Sequence, residues 1–286
     1  MTNQSDDETK QIASGLRKVL NMHGHGFHYA VLRRVDQLYL NGQTSWVFDG
    51  AEFPVVAGHE TTHIDIILRS RSYRTYLIGE CKRVDPARGN WCFAKAPYTW
   101  RNPSEEVIFD QFICGPSNSI IQKPCIHRTQ YGIYNLGLEL KIGKSGDGTS
   151  HGGSAINQAV AQVLRCSSGL INHLLINTHR SYQNEKIVRF IPAIFTTAQL
   201  WVTEADLGAA ELATGDLPSE AVEAKKSDWI LYNHNRSPIL RHDLEWNGVE
   251  TELSKELKVE FARSIAIVST DGIDKFLGMD MDEWLE

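Results

Sequence analysis

The stretch "YLIGECKRVD", residues 76–85, begins as an apolar strand and ends in a carboxylate, a thiol and two cations. Side chains two apart on a β-strand share a face, so Glu80 and Lys82 point one way and Cys81 the other. The preceding run "THIDIILRS" (62–70) alternates too: Ile64, Ile66 and Leu68 are expected on one face, His63 and Asp65 on the opposite one. Fourteen residues separate Asp65 from Glu80, enough for a hairpin that gathers Asp65, Glu80 and Lys82 on one side. Ile67 and Ile78 share that side, which argues against a plain solvated ladder of cross-strand ion pairs. With "SWVFDGAEFPVV" (45–56) and the turn-type "AGHE" and "RSRS", the pattern predicts a three-stranded antiparallel meander over about 44–83.

Two carboxylates beside a lysine suit Mg²⁺, a hard cation that keeps several waters and takes one or two protein carboxylates plus phosphate oxygens. Such an ion lowers the pKa of a bound water and neutralises charge at phosphorus. The lysine can orient that water as a point charge. Glu-x-Lys alone is uninformative, since it recurs at Glu223–Lys225 and Glu256–Lys258 in charged surroundings. It recurs again at Glu139–Lys141, in the alternating "LGLELKIGK", where Asp110 in the helix-like "EEVIFDQF" is a poor hairpin partner.

Asp65 followed by Glu80-Cys81-Lys82 resembles the PD-(D/E)XK, or restriction-endonuclease-like, nuclease superfamily. The resemblance covers about 44–83 and 154–197: the meander, then a helix near 154–176 and a core strand near 187–196. It implies an α/β fold with a central mixed sheet flanked by helices, and a large insertion at about 84–152 after the Glu-x-Lys strand. It implies a core over 1–200, with 201–286 an acidic α/β extension packed on it. The implied activity is metal-dependent endonuclease cleavage of DNA, with RNA cleavage or a catalytically inactive nucleic-acid-binding or assembly module as alternatives. Asp65, Glu80 and the Cys81 carbonyl would hold Mg²⁺, Mn²⁺ substituting, and Lys82 would assist the water. Glu52 or Glu60 could supply the upstream Glu of some members, and Gln158 or Gln162 the helix Gln of others. Ile64 stands where the family often has Pro, and Gln162 excludes the Gln-x-x-x-Tyr version. Duplex cleavage implies a homodimer or an activating partner, and a bacterial restriction or anti-phage defence role follows by analogy.

Elsewhere, residues 6–20 read as an amphipathic helix that "NMHGHGFH" breaks. "SAINQAVAQVLRCSSGLINHLL" predicts a helix capped by Ser154, with Ile156, Val160, Val163 and Leu164 on one stripe. "IVRFIPAIFTTAQL" and "FARSIAIVST" read as strands buried on both faces. "GKSGDGTSHGGS" reads as a flexible loop, its glycines wrongly spaced for a phosphate loop. His23, His25 and His28 look like part of a glycine-rich turn, and Cys114, Cys125 and His127 match no zinc finger spacing. Residues 203–228 read as loop and helix.

The net charge of −6 argues against broad polyanion binding, yet residues 201–286 hold 8 Lys+Arg against 19 Asp+Glu, leaving the remainder net positive. Arg83, Arg88, Lys95 and Arg101 fall in the densest basic stretch and are the candidate DNA contacts. Trp91, Phe93, Tyr98 and Trp100 are interleaved with them, to stack on bases or to pack the insertion. Five unpaired cysteines and a polar, acidic N-terminus suggest a reduced cytoplasmic protein without a targeting segment or membrane span.

Overall fold

The computed structural model describes residues 3–22, 24–72, 74–86, 89–97, 106–115, 120–129, 131–142, 148–151, 154–177, 186–235, 249–251 and 262–279. Two helices open the chain, α1 (Asn3–Met22) and α2 (His25–Leu40), divided at Gly24, whose φ of 77° only glycine adopts without strain. The glycine-rich break is therefore real. The second helix beyond it, with Val31, Val35 and Leu38 buried at helical spacing, had no counterpart in the sequence reading.

The expected meander follows: β1 (Trp46–Ala57), β2 (Glu60–Ser70) and β3 (Thr75–Lys82), each antiparallel to the last. The segment after Lys82 supplies β4 (Asn90–Ala94), β5 (Glu106–Cys114), β6 (Ile120–Gln122), β7 (Cys125–Arg128), β8 (Ile133–Tyr134), β9 (Leu136–Ile142) and β10 (Gly148–His151). Part of the glycine-rich loop is thus a strand, paired with β9. Asp110 also lies on a strand, not a helix. Val107, Ile108, Phe109 and Asp110 are all buried, and burial on both faces erases the two-residue period that would have betrayed β5.

Helix α3 (Ser154–Ile171) continues as π-helix through Asn177 and leads to β11 (Lys186–Thr196), followed by β12 (Gln199–Thr203). The acidic segment beyond holds two 3₁₀ turns and then β13 (Lys225–Ser227). The chain's remaining described elements are β14 (Trp229–Asn235), β15 (Val249–Thr251), β16 (Ala262–Ser269), a 3₁₀ turn (Thr270–Gly272) and α4 (Ile273–Leu277).

The main sheet runs β1-β2-β3-β11-β16-β14-β8, with β3, β11 and β16 parallel neighbours. A smaller sheet runs β10-β9-β4-β12-β13. The expected boundary at 200 falls within β12, and β14 and β16 enter the main sheet. The acidic C-terminal part is woven into the core sheet as well as packed beside it. The result is a mixed α/β architecture with helices on both faces of a large mixed sheet. Among the described residues no helix is long and apolar enough to cross a membrane.

One face of the sheet packs Ile64, Ile67, Ile78 and Ile194 against Ile156, Val160 and Val163 of α3. The other packs Ile66, Leu68, Leu77 and Phe195 against α2 and α4. Helix α3 approaches β1 closely at Gly169, where an added Cβ would lie 2.6 Å from Val55 Cγ2 and 3.2 Å from the Val56 carbonyl oxygen. A Gly169→Ala substitution should therefore cost about 1–3 kcal/mol by overpacking, measured as a lower urea midpoint at unchanged slope.

Trp91 and Phe93 lie fully inside the α3 core, so packing rather than base stacking explains them. Tyr98 and Trp100 lie outside the described residues.

Candidate active site

The β2–β3 ladder pairs Arg69 with Tyr76 and proceeds to Ile66 opposite Gly79, where its register ends. Beyond that point β3 is held from its other side: Glu80, Cys81 and Lys82 pair with Ile194, Phe195 and Thr196 of β11. The Thr197 N–H donates to the Lys82 carbonyl at 3.2 Å, and the Val84 N–H to Thr197 Oγ1 at 3.0 Å. The Cys81 N–H, left without a β2 carbonyl, donates instead to Asp65 Oδ2 at 2.7 Å. Asp65 is therefore fixed by the strand that carries Glu80 and Lys82.

The expected alternation slips on β2 for the same reason. Ile64 packs on the α3 side with Ile67 and Ile78, whereas Ile66 and Leu68 pack on the other. Where the ladder stops, the strand is free to rotate, and Asp65 reaches across the gap.

Glu80 is 5% exposed, and its Oε2 is a buried acceptor with no hydrogen-bond partner. Burial first, then Asp65 beside it, pushes its carboxyl up to about 9; Lys82 opposes the shift and Glu52 adds to it. Burial also raises Asp65, against the Cys81 N–H and His28, which favour its charged form. The Cys81 thiol is pushed well up by burial and by the same carboxylates, and behaves as a half-buried apolar group against the α2 core. On α3, burial pushes the Cys166 thiol up to about 12, with Glu80 and Asp65 contributing. Cys166 donates to the His63 carbonyl at 3.3 Å and so ties the helix to β2.

Glu52 joins this group through an unusual backbone. Between Ala51 opposite Ile66 and Phe53 opposite Ile64, its register position faces Asp65. Its φ of 49° is left-handed, a conformation costing a non-glycine residue about 1–3 kcal/mol. His28 Nδ1 lies 3.1 Å from Glu52 Oε1, and His25 Nδ1 3.9 Å from it. Glu60, the other upstream candidate, pairs with Arg165 at 3.3 Å, away from this group.

His28 was missed as a site residue because it sits in a glycine-rich stretch. The signal was its place at the head of the stripe 28, 31, 35, 38, which buries it to 3% exposure. His23 lies outside the described residues.

The structure thus gathers Asp65, Glu80, Glu52 and, by strand alternation, Lys82 on one side of β3. Gln158 is exposed on α3, and Gln162 is half-buried one turn before Cys166. Arg83 is exposed and donates to the Asn21 carbonyl at 2.7 Å. Lys95 is ion-paired with Glu204 at 2.7 Å. Arg88 and Arg101 lie outside the described residues. Cys125 and His127 lie 2.8 Å apart (Sγ to Nε2), and all five cysteines are free.

The second Glu-x-Lys has a structural occupation. Glu139 on β9 is buried, and its Oε1 accepts from the amides of Ala155 and Ile156, the latter at 3.3 Å. It supplies the cap expected from Ser154, which is itself the first residue of α3, and its negative charge complements the helix dipole. Asp110 is likewise occupied, paired with the buried Arg263 at 2.9 Å. Glu139→Ala should cost about 1–3 kcal/mol, while Glu139→Gln, which keeps an oxygen acceptor, retains most stability; chemical denaturation distinguishes them.

A group holding Mg²⁺ needs only one or two protein carboxylates. Among the described residues no set of three or more His, Cys, Asp or Glu side chains forms a ready ligand shell. The pair Asp65 and Glu80 nevertheless fits a hard cation, because the buried Glu80 oxygen lacks a hydrogen-bond partner and lies beside a second carboxylate whose effect Lys82 offsets only in part. Comparison with family models, with curated proteins and with solved structures finds no match.

Proposed function

We propose that this chain is a metal-dependent nuclease of the PD-(D/E)XK kind, hydrolysing DNA phosphodiester bonds. The order helix, three-stranded meander, helix, parallel strand supports the restriction-endonuclease-like assignment: α2, β1 to β3, α3, then β11 beside β3. The observation that carries the chemistry is Glu80, a buried carboxyl with an unpartnered oxygen next to Asp65 and on the same face as Lys82.

Asp65, Glu80 and the Cys81 carbonyl would hold Mg²⁺, or Mn²⁺ in its place, with Glu52 as a further carboxylate. When bound, the ion supplies charge neutralisation at the phosphate and a water of lowered pKa. The chain's own residues do the rest. The Cys81 amide orients Asp65 Oδ2. The pairing of β3 with β11 fixes the backbone beneath Glu80 and Lys82. Lys82 Nζ donates to the attacking water or to a non-bridging phosphate oxygen, where its positive charge offsets the negative charge that develops.

The test is incubation with supercoiled plasmid and Mg²⁺, beside EDTA and an Asp65→Ala protein, with single-stranded DNA and RNA in parallel. Nicking that needs both metal and Asp65 supports the reading. Preferential cleavage of RNA makes it a ribonuclease of the same kind. Intact substrates and no divalent-ion binding would leave a nuclease-like binding module.

A further inference from the structure

Helix α2 packs on the sheet through Val31, Val35 and Leu38, and a histidine heads this apolar stripe. His28 is buried as deeply as its neighbours, and its Nε2 has no hydrogen-bond partner. An apolar side chain at that position would avoid the cost of a buried, unsatisfied polar atom. The other ring nitrogen faces the site: Nδ1 lies 3.1 Å from Glu52 Oε1, where an ionised carboxylate accepts an N–H. Glu52 needs such a hold. Its left-handed φ of 49° persists in a non-glycine residue only where the surroundings determine it. The bend keeps Glu52 level with Asp65, on whose carboxyl its charge acts.

The turn between α1 and α2 reaches the other margin of the site as well. Arg83, the residue after Lys82, donates to the Asn21 carbonyl at 2.7 Å. A Cβ at Gly24 would lie 3.8 Å from the Arg83 Cβ. Asn21, Gly24 and His28 thus touch both β1 at Glu52 and the chain just beyond β3.

We propose that His28 is a positioning residue: its Nδ1–H holds Glu52 in the bend beside Asp65, and so sets how tightly these carboxylates take a divalent cation. The inference rests on the reading of Asp65, Glu80 and Glu52 as a cation site. His28 acts through Glu52 and is not itself a ligand. Burial gives the contact its effect, because the ring cannot turn away to water while α2 stays on the sheet. Glu52 is itself partly exposed, and a carboxylate already held in place loses less freedom when it takes a cation. His25, 3.9 Å from the same oxygen, is exposed and cannot impose a geometry in this way.

Calorimetric titration of the full chain with Mn²⁺ alone, beside melting curves of the metal-free proteins, tests this. His28→Leu extends the apolar stripe and removes both ring nitrogens, so the metal-free melting temperature should hold or rise. Its Mn²⁺ dissociation constant should nevertheless increase about 10–100-fold, as when other residues that orient a metal ligand are removed. His28→Asn places an amide N–H near the position of Nδ1 and should bring the constant back to within about threefold of the wild type. Glu52→Gln should weaken Mn²⁺ binding about as much as His28→Leu, and combining the two should add less than about twofold, because both break one contact. Unchanged Mn²⁺ affinity in His28→Leu overturns the inference and leaves the cation site standing. Additive losses in the double variant do the same, as does a His28→Asn protein no better than His28→Leu. A His28→Leu protein that melts well below the wild type overturns it in favour of a structural histidine. A wild type that takes no Mn²⁺ overturns both this inference and the metal-dependent reading beneath it.

Discussion

A Lys82→Met protein will fold, bind Mn²⁺ within a few-fold of the wild type, and cleave plasmid about 10²–10⁴ times more slowly. The argument begins with β3, where Lys82 stands two residues from Glu80 and is therefore on its face. The backbone of Lys82 is fixed by Thr196 and Thr197 rather than by its own side chain, so removing the ammonium leaves the strand in place. Methionine keeps the length of the aliphatic stem and loses the ammonium, with its charge and its N–H donors. Calorimetric titration with Mn²⁺ and a single-turnover plasmid assay separate binding from chemistry. Lys82→Arg should not restore the rate, because a planar guanidinium cannot present a compact ammonium. Full activity in the methionine variant would remove Lys82 from the mechanism.

Glu80→Gln will raise the thermal midpoint of the metal-free protein at pH 8 while abolishing its stabilisation by divalent ions. The Glu80 carboxyl is shifted from 4.5 to about 9 on folding. Between those values the native protein keeps the proton and the unfolded chain has lost it. Stability from this group is therefore complete below about pH 4.5 and drains away as pH rises toward 9. Glutamine has the shape of the protonated acid and does not titrate, so its advantage grows over that range, to a few kcal/mol at the alkaline end. Melting curves from pH 5 to pH 9 check this, and parallel curves for the two proteins would refute it. Added Mg²⁺ or Mn²⁺ should raise the midpoint of the wild type alone. The buried acid is thus a liability that makes sense beside a cation.

Much of this arrangement was legible because strands leave a two-residue signature. The meander, the buried run at 186–196 and helix α3 follow from apolar spacing, and Asp65, Glu80 and Lys82 from their positions within it. Their convergence through the Cys81 amide was not legible, since it depends on where the β2–β3 ladder stops. Glu52 could be named as a carboxylate upstream, but not its left-handed backbone or its pairing with His28. Strand β5 escaped because its residues are buried on both sides, and the helical look of "EEVIFDQF" reflects charge at one end only. Glu139 matched a catalytic tripeptide in composition; three-dimensional placement at the start of α3 gives it a different task.

The parallel pairing of β3 with β11 has a consequence for the making of the protein. Glu80 and Ile194 are register partners separated by about 110 residues of chain, and closing so long a loop is slow. The hairpin bearing Asp65 can assemble from local sequence as it leaves the ribosome. The strand end carrying Glu80 and Lys82 acquires its backing only after residue 196 has been synthesised. A nascent chain therefore holds Asp65, Glu80 and Lys82 before the pairing of β3 with β11 that fixes the backbone of Glu80 and Lys82 can form.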